Sequence, residues 1–598
     1  MRRALWLLPL VLIWHLRLEA QEGPPPPQSF GPDTYRTGVF TGQGTSRPGL
    51  DCVGSTAHGR VCSGFLASEV DGTLIDVTVA VPPGAGPHPL IAVLHGWGGS
   101  KDSLGYLSEP LLADGHAALR YSARGFGRSW GQVNLADANV EVTDLRSMIG
   151  QVVDEARLHL DAQAVGVTGV SYGGGQTWLA LLQPSFKSRR GDVRIRAVAP
   201  IVPWSDLVYA LLPNGRPERS IAPAGSPKLS YINGLYASGL RTSAERPYPN
   251  YPDYLVAWHA WLNAMEPNAF EPVYRQLLDG TAGYRSIWWR QDFWRDAAVN
   301  RVPVFQIQGL TDDLFPLPEA KRMLLALKAI DPLYPIASYF GDIGHPRAGN
   351  KPAERDYVVG LLRQWFAYYL RGIGTPPQHV IRAAITRPRT QPFDPRDVVT
   401  VESYDTLASG TVSKQFNGAA ILTNPSADPH SGFFWDPLVM EGSRELQPLP
   451  APPDAALAEG SLGVFTVDVA ELSAGQPLLV AGQPSVSLLA STTAPRVQLN
   501  VRLVDVAPDG ARELVTRGTF VLEGPAVNAS VTIPTYGNLW EARAEHRLRL
   551  EISNLDSPYL APSRVPSATQ ISQVRLDLPT RQRDPSSATS GGVLLPPF

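Results

Sequence analysis

Residues Ala164–Gln176 read AVGVTGVSYGGGQ. A short apolar, β-branched run leads into Gly169-Val170-Ser171-Tyr172-Gly173, and residues able to open a helix follow. A strand that delivers a serine into a tight turn needs glycines two residues to either side, because a Cβ there would collide with the neighbouring backbone. The flanks of this match supply the strand the motif requires. Ser171 is therefore the candidate nucleophile.

Working outward, apolar runs of strand length recur at Pro89–Leu94, Ala117–Ser122, Ala164–Val170, Ala197–Val202, Val302–Gln308 and Ile336–Phe340. Unbroken apolar character is what burial on both faces of a parallel sheet demands. Helical periodicity lies between and after them, at Val140–Leu160, Leu317–Ile330 and Tyr357–Leu370. This alternation predicts a doubly wound α/β domain over residues 35–372. Val70–Val81 alternates like an antiparallel strand and stops at Pro82-Pro83-Gly84. Residues 206–300 break the alternation with many tryptophans, tyrosines and prolines. An insertion there lies over the C-terminal strand ends, where α/β proteins bind ligands, so it reads as a cap whose aromatics mostly form its own core. From residue 376 to 578 helices disappear and short alternating runs recur, including Val380–Ile385, Val497–Asp505 and Arg547–Ile552, the pattern of a β-sandwich. Residues 580–598 read as a polar tail.

A serine hydroxyl needs a base, an orienting acid and an oxyanion site, in the chain order Ser, acid, His. After Val302–Gln308 comes Gly309-Leu310-Thr311-Asp312-Asp313, which makes Asp312 the candidate acid and Asp313 the near alternative. After Ile336–Phe340 comes Gly341-Asp342-Ile343-Gly344-His345. Of eleven histidines, only His345 follows the acid at a strand end. The Tyr172 N–H supplies one oxyanion donor. The loop His95-Gly96-Trp97-Gly98-Gly99 supplies the second, with the Trp97 N–H favoured and His95 read as structural. This chemistry requires no metal and no cofactor.

The net charge of −3 over 598 residues offers no basic footprint for nucleic acid. Met1-Arg2-Arg3 followed by an apolar segment to Leu18 reads as a secretory signal (residues 1–20), with an uncleaved anchor as the alternative and no stable membrane insertion expected of the rest. Residues 21–34, which include four consecutive prolines, read as a stiff lead-in. The only cysteines, Cys52 and Cys62, would close one disulfide loop in a secreted or periplasmic protein, two free thiols being the alternative.

His95-Gly-Trp-Gly-Gly, Arg124-Gly-Phe-Gly-Arg-Ser-Trp-Gly131, Gly169-Val-Ser-Tyr-Gly173, Gly309-Leu-Thr-Asp312 and Gly344-His345 together resemble the X-prolyl dipeptidyl-peptidase and cocaine-esterase family of α/β hydrolases. Gln483-Pro484-Ser485, Val501–Val506 and Asp509-Gly510 resemble that family's galactose-binding-like jelly-roll domain. The resemblance implies an α/β-hydrolase fold with a helical cap, a Ser171–Asp312–His345 triad, and hydrolysis of an ester or short peptide amide. Several relatives place a tyrosine hydroxyl in the oxyanion hole; here the matching loop offers Trp97, so a backbone or indole N–H must substitute. Members that act on free amines need carboxylates to hold the ammonium, and Asp206 is the one candidate contact. Two other functional readings remain open: acyl transfer to a sugar or alcohol, and a non-catalytic carbohydrate-binding protein.

Overall fold

The computed structural model describes residues 23–31, 46–216, 220–241, 248–424, 462–556 and 559–582. The predicted signal, the expected start near Tyr35 and the tail beyond Gln582 lie outside them. Within them, no helix is long and apolar enough to cross a membrane.

The first sheet opens with antiparallel β1 (Gly49–Ser55), β2 (Gly59–Ala67) and β3 (Leu74–Val81). Cys52 stands opposite Cys62 across the β1–β2 hairpin, and the two form a disulfide. Next come β4 (His88–Leu94), α1 (Gly105–Ala113), β5 (Ala117–Tyr121), α2 (Glu141–Asp154), β6 (Leu160–Val170) and α3 (Tyr172–Leu179). A short β7 (Ser185–Lys187) precedes β8 (Asp192–Ile201). The cap holds α4 (Leu207–Leu211), α5 (Leu229–Arg241), α6 (Asp253–Ala264), α7 (Pro272–Arg285) and α8 (Gln291–Asn300). The chain then returns through β9 (Val304–Gly309), α9 (Pro318–Ile330), β10 (Ile336–Gly341) and α10 (Pro352–Arg371).

Strands β4, β5, β6, β8, β9 and β10 run parallel, and their central residues are buried because both faces are covered. In β4, Leu90, Ala92 and Leu94 point into one core, while Ile91 and Val93 point into the other, which α10 closes with Leu361, Leu362, Trp365 and Phe366. The α/β class expected from the alternation is therefore present.

One assignment needs correcting. The alternating pattern groups Val380–Ile385 with the β domain, but β11 (Ile381–Ala384) pairs parallel to β10, with Ile381 opposite Ser338, and β12 (Val398–Val401) pairs antiparallel to β11. The sheet order is β1-β2-β3-β5-β4-β6-β8-β9-β10-β11-β12. A short apolar run carries no mark of the sheet it joins, and β10 offers an open edge at that point.

The β domain stacks two antiparallel sheets. One contains β13 (Gly410–Gln415), β14 (Ala419–Asn424), β16 (Leu478–Gly482), β17 (Ser485–Thr492), β20 (Ala526–Pro534), β21 (Asn538–Ala542) and β23 (Ser567–Arg581); the other contains β15 (Leu462–Asp468), β18 (Arg496–Val506), β19 (Arg512–Glu523) and β22 (Arg547–Ser553). Strand β23 continues to Arg581, where Thr580 pairs with Gly410, so the strand overruns the expected start of the tail. The domains do not meet as separate globules. The apolar core beneath α2, α3, α9 and the cap includes Leu479, Ala481, Tyr536 and Tyr559 from the β domain, and Thr386 donates its N–H to Leu539 O at 2.7 Å.

The lead-in also joins the fold. Phe30 packs against Trp289 in the cap with ring centroids 6.4 Å apart, and the Tyr284 hydroxyl donates to Gly31 O at 3.0 Å. Its prolines hide a segment that an aromatic residue anchors.

Candidate active site

Ser171 sits between β6 and α3 at φ 56°, ψ −110°, outside the regions an L-residue favours. The neighbouring glycines make the turn feasible: a Cβ on Gly173 would come within 2.6 Å of Leu94 C, and one on Gly169 within 2.6 Å of the Gly173 carbonyl carbon. Ser171 N–H donates to Ile201 O at 2.9 Å, which ties the turn to β8.

Ser171 Oγ lies 2.7 Å from His345 Nε2, and His345 Nδ1 lies 2.7 Å from Asp312 Oδ2. The other carboxylate oxygen, Oδ1, accepts the N–H groups of Leu314 (2.9 Å) and Phe315 (3.0 Å), and Oδ2 also accepts His345 N–H at 3.1 Å. The carboxylate is thus fixed by its own loop, and Phe315 packs edge-on against the His345 ring. An acid held on Nδ1 leaves Nε2 free to take the serine proton. Asp313, the near alternative, points elsewhere. It pairs with Arg347 at 2.8 Å and Arg517 at 3.4 Å, and these two cations with Lys228 hold its carboxyl below the usual range despite burial.

The loop 95–99 passes beside Ser171: a Cβ on Gly96 would lie 3.6 Å from Ser171 Cβ. Neither Trp97 N–H nor Tyr172 N–H donates to any group among the described residues. The Trp97 indole does not serve as an oxyanion donor, because it donates to Leu235 O in α5 at 2.7 Å. His95 is structural. Ala123 N–H donates to its Nε2, Nδ1 lies 2.7 Å from Gly96 O, and burial pushes the ring down to about 4.

Asp206 does not fit the expected role of substrate contact. It is buried, caps α4 by accepting the N–H groups of Val208 and Tyr209, and pairs with Arg322 at 3.3 Å. Burial pushes its carboxyl up to about 6. A carboxylate just past a strand end reads the same whether it caps a helix or faces a site.

Sequence reasoning also missed the polar groups behind the elbow. The Tyr172 hydroxyl donates to Glu141 at 3.3 Å and accepts Ala136 N–H at 3.0 Å. Arg285, fully buried in α7, pairs with Asp137 at 2.9 Å and donates to Asn134 O. It thereby fastens the cap to the Leu135-Ala136 turn, whose residues hold φ of 61° and 59°. No local pattern marks either residue.

Between Trp97 and the cap helices lies a cavity of about 110 Å³. Leucines and an isoleucine line most of it; Trp97, Tyr236, Tyr251, Trp258, His259 and Thr281 complete the wall. His259, Tyr236, Tyr251 and Trp97 form a column of near-parallel rings, at centroid spacings of 3.7, 4.6 and 6.2 Å. No Asp, Glu, Lys or Arg is part of the lining. Ser171 and His345 do not line it either, and Trp97 is the residue that belongs to both the cavity and the 95–99 loop.

Residues 71–340 match the family model for X-Pro dipeptidyl-peptidase (S15 family), and residues 469–571 match that for the X-Pro dipeptidyl-peptidase C-terminal non-catalytic domain. Three solved structures share the fold. An alpha-amino acid ester hydrolase is 15% identical (TM-score 0.60; 91% of this chain, 100% of that one). An aminopeptidase from the archaeon Thaumarchaeota archaeon is 14% identical (TM-score 0.59; 91% and 100%). A CocE/NonD family hydrolase from Staphylococcus aureus is 11% identical (TM-score 0.57; 92% and 100%). Among curated proteins, an uncharacterized 31.7 kDa protein of Escherichia coli is 29% identical over 133 residues, 22% of this chain; the chain spans 43% of that relative's length. With a catalytic-domain and a C-terminal-domain match in the same order on one α/β-plus-β architecture, the chain belongs to the X-Pro dipeptidyl-peptidase (S15) family of serine hydrolases.

Proposed function

We propose that this protein is an exported carboxylic ester hydrolase that works through an acyl-enzyme on Ser171 and takes substrates with an apolar acyl or alcohol group. The observation that carries the reading is the Ser171–His345–Asp312 relay at 2.7 and 2.7 Å beside a cavity with no charged lining. Ser171 Oγ attacks the ester carbon while His345 Nε2 takes its proton, and Asp312 stabilises the imidazolium. Negative charge then gathers on the carbonyl oxygen, toward which the Tyr172 and Trp97 N–H groups donate; one such donor is worth on the order of 10²–10³ in rate. His345 returns the proton to the leaving alcohol, and water repeats the sequence on the acyl-enzyme.

A substrate with a free amino group is disfavoured. Its ammonium would need a carboxylate, and burying it unpaired is costly. Asp206 is committed to Arg322 and the α4 cap, and no other described carboxylate borders the cavity. The cross-strand disulfide supports an oxidising compartment.

The test is a substrate panel with a labelling control. p-Nitrophenyl esters of increasing acyl length should be turned over far faster than Gly-Pro or Ala-Pro p-nitroanilides, and Ser171→Ala should abolish fluorophosphonate labelling. Label retained in Ser171→Ala removes Ser171 as nucleophile. Anilide turnover above that of the esters replaces the ester reading with a dipeptidyl-peptidase one.

A further inference from the structure

Lys228 precedes α5 and is fully buried. Its Nζ donates to two backbone carbonyls, Asp313 O at 2.5 Å and Leu314 O at 2.8 Å. These residues directly follow Asp312, and the Leu314 and Phe315 N–H groups are the ones that hold Asp312 Oδ1. An ammonium has three donors; with two on carbonyls, Nζ faces the rings of Tyr536 and Tyr559 at 5.0 and 5.6 Å. Both rings come from the β domain.

The same domain grips the acid loop at two further points. The Tyr559 hydroxyl donates to Asp313 O at 2.9 Å, and Arg517 reaches the Asp313 carboxylate at 3.4 Å. Arg347, two residues beyond His345, pairs with that carboxylate from the other side. The loops carrying the acid and the base are therefore joined through one buried cluster, to which the cap contributes Lys228 and the β domain contributes Tyr559 and Arg517.

Resting on the triad reading above, we propose that Lys228 is a positioning residue for Asp312 and that the β domain, through Tyr559 and Arg517, completes this support, so that the triad is aligned only while the domains are docked. Keeping a lysine here has a cost: burial pushes its ammonium down to about 7, opposed by Asp313, Asp312 and Glu319, while Arg517 pushes it further down. A leucine or methionine would fill the volume without that cost. What it could not do is hold two carbonyls converging from one turn.

The experiment uses the full chain and a p-nitrophenyl ester. Lys228→Met keeps most of the volume and removes the donors; Tyr559→Phe keeps the ring and removes one hydroxyl. Displacing a catalytic group by about 1 Å costs on the order of 10²-fold. Lys228→Met is expected to lose about that much in kcat with KM nearly unchanged, and Tyr559→Phe to lose several-fold. In a His345→Ala background neither change should lower the residual rate further, because both act through Asp312 and His345. A folded Lys228→Met with wild-type kcat overturns the proposal, as do equal fractional losses with and without His345. If Lys228→Met does not fold, Tyr559→Phe decides, and unchanged kcat there overturns it. Fluorophosphonate labelling of each variant, abolished by Ser171→Ala, separates failure of this inference from failure of the triad reading.

Discussion

The Ser171 backbone offers a test of the nucleophile turn that does not depend on knowing the substrate. A non-glycine residue in such a conformation costs roughly 1–3 kcal/mol. Ser171→Ala and Ser171→Gly both delete the hydroxyl and its 2.7 Å contact with His345 Nε2, so both should lose on the order of 10⁶ in kcat. They differ in the strain. Glycine relieves it but gives back about 0.4–1 kcal/mol of unfolded-chain entropy, which leaves Ser171→Gly more stable than Ser171→Ala by about 0.5–2 kcal/mol. Spread over the roughly 500 described residues of the two docked domains, with an unfolding entropy near 2.1 cal/mol/K per residue, this is a rise of about 0.5–2 °C in Tm. Differential scanning calorimetry of the two variants at one pH reads the difference directly. A glycine variant that melts at or below the alanine variant would show that the turn is unstrained and that φ 56° does not describe it.

Four further perturbations probe three neighbouring carboxylates and one glycine. Asp312→Asn should lower kcat by about 10⁴, because an amide cannot hold His345 in the tautomer that accepts the serine proton. Asp313→Asn should act on stability instead, costing about 3–5 kcal/mol in urea unfolding by leaving Arg347 without its charge partner and Arg517 with Asp556 alone. Gly344→Ala places a methyl 2.8 Å from Asp312 Cγ at φ 133°, so steady-state kinetics should show a fall in kcat, and unchanged kinetics would mean the acid lies elsewhere. Burial pushes the Glu141 carboxyl from its ordinary 4.5 up to about 8. A raised acid binds more protons folded than unfolded, so its stabilisation is complete below about pH 4.5 and lost as pH rises through 8. Relative to Glu141→Gln, the wild-type urea midpoint should therefore drop between pH 5 and 8.5; a constant difference contradicts the assignment.

What could be read in advance was whatever chemistry confines to a few consecutive residues. The elbow at Ser171 is encoded by five positions together with the apolar run that leads into them, and the strand ends before Asp312 and His345 mark where side chains can converge. Choosing between Asp312 and Asp313 needed the third dimension, since only one faces His345 and the other faces two arginines. Asp206 was misread for the same reason: Arg322, its partner, lies far along the chain. Lys228, Arg285 and Glu141 leave no local signature at all, because their partners come from other elements. Phe30 was hidden by prolines, and Ile381–Ala384 by a pattern too short to name its sheet.

That last strand bears on what may be regarded as a module of this protein. A fragment ending at Gly372, where the helical pattern stops, would strip β11 from β10 and leave a buried parallel strand as a bare edge, the kind of surface that recruits other chains. A fragment ending after Val401 restores the edge but still abandons Thr386, whose N–H and hydroxyl reach into β21. No cut in this region yields a sealed surface. The smallest exchangeable unit therefore includes the β-sandwich, and grafting the catalytic half onto another partner requires carrying its β21 contact along.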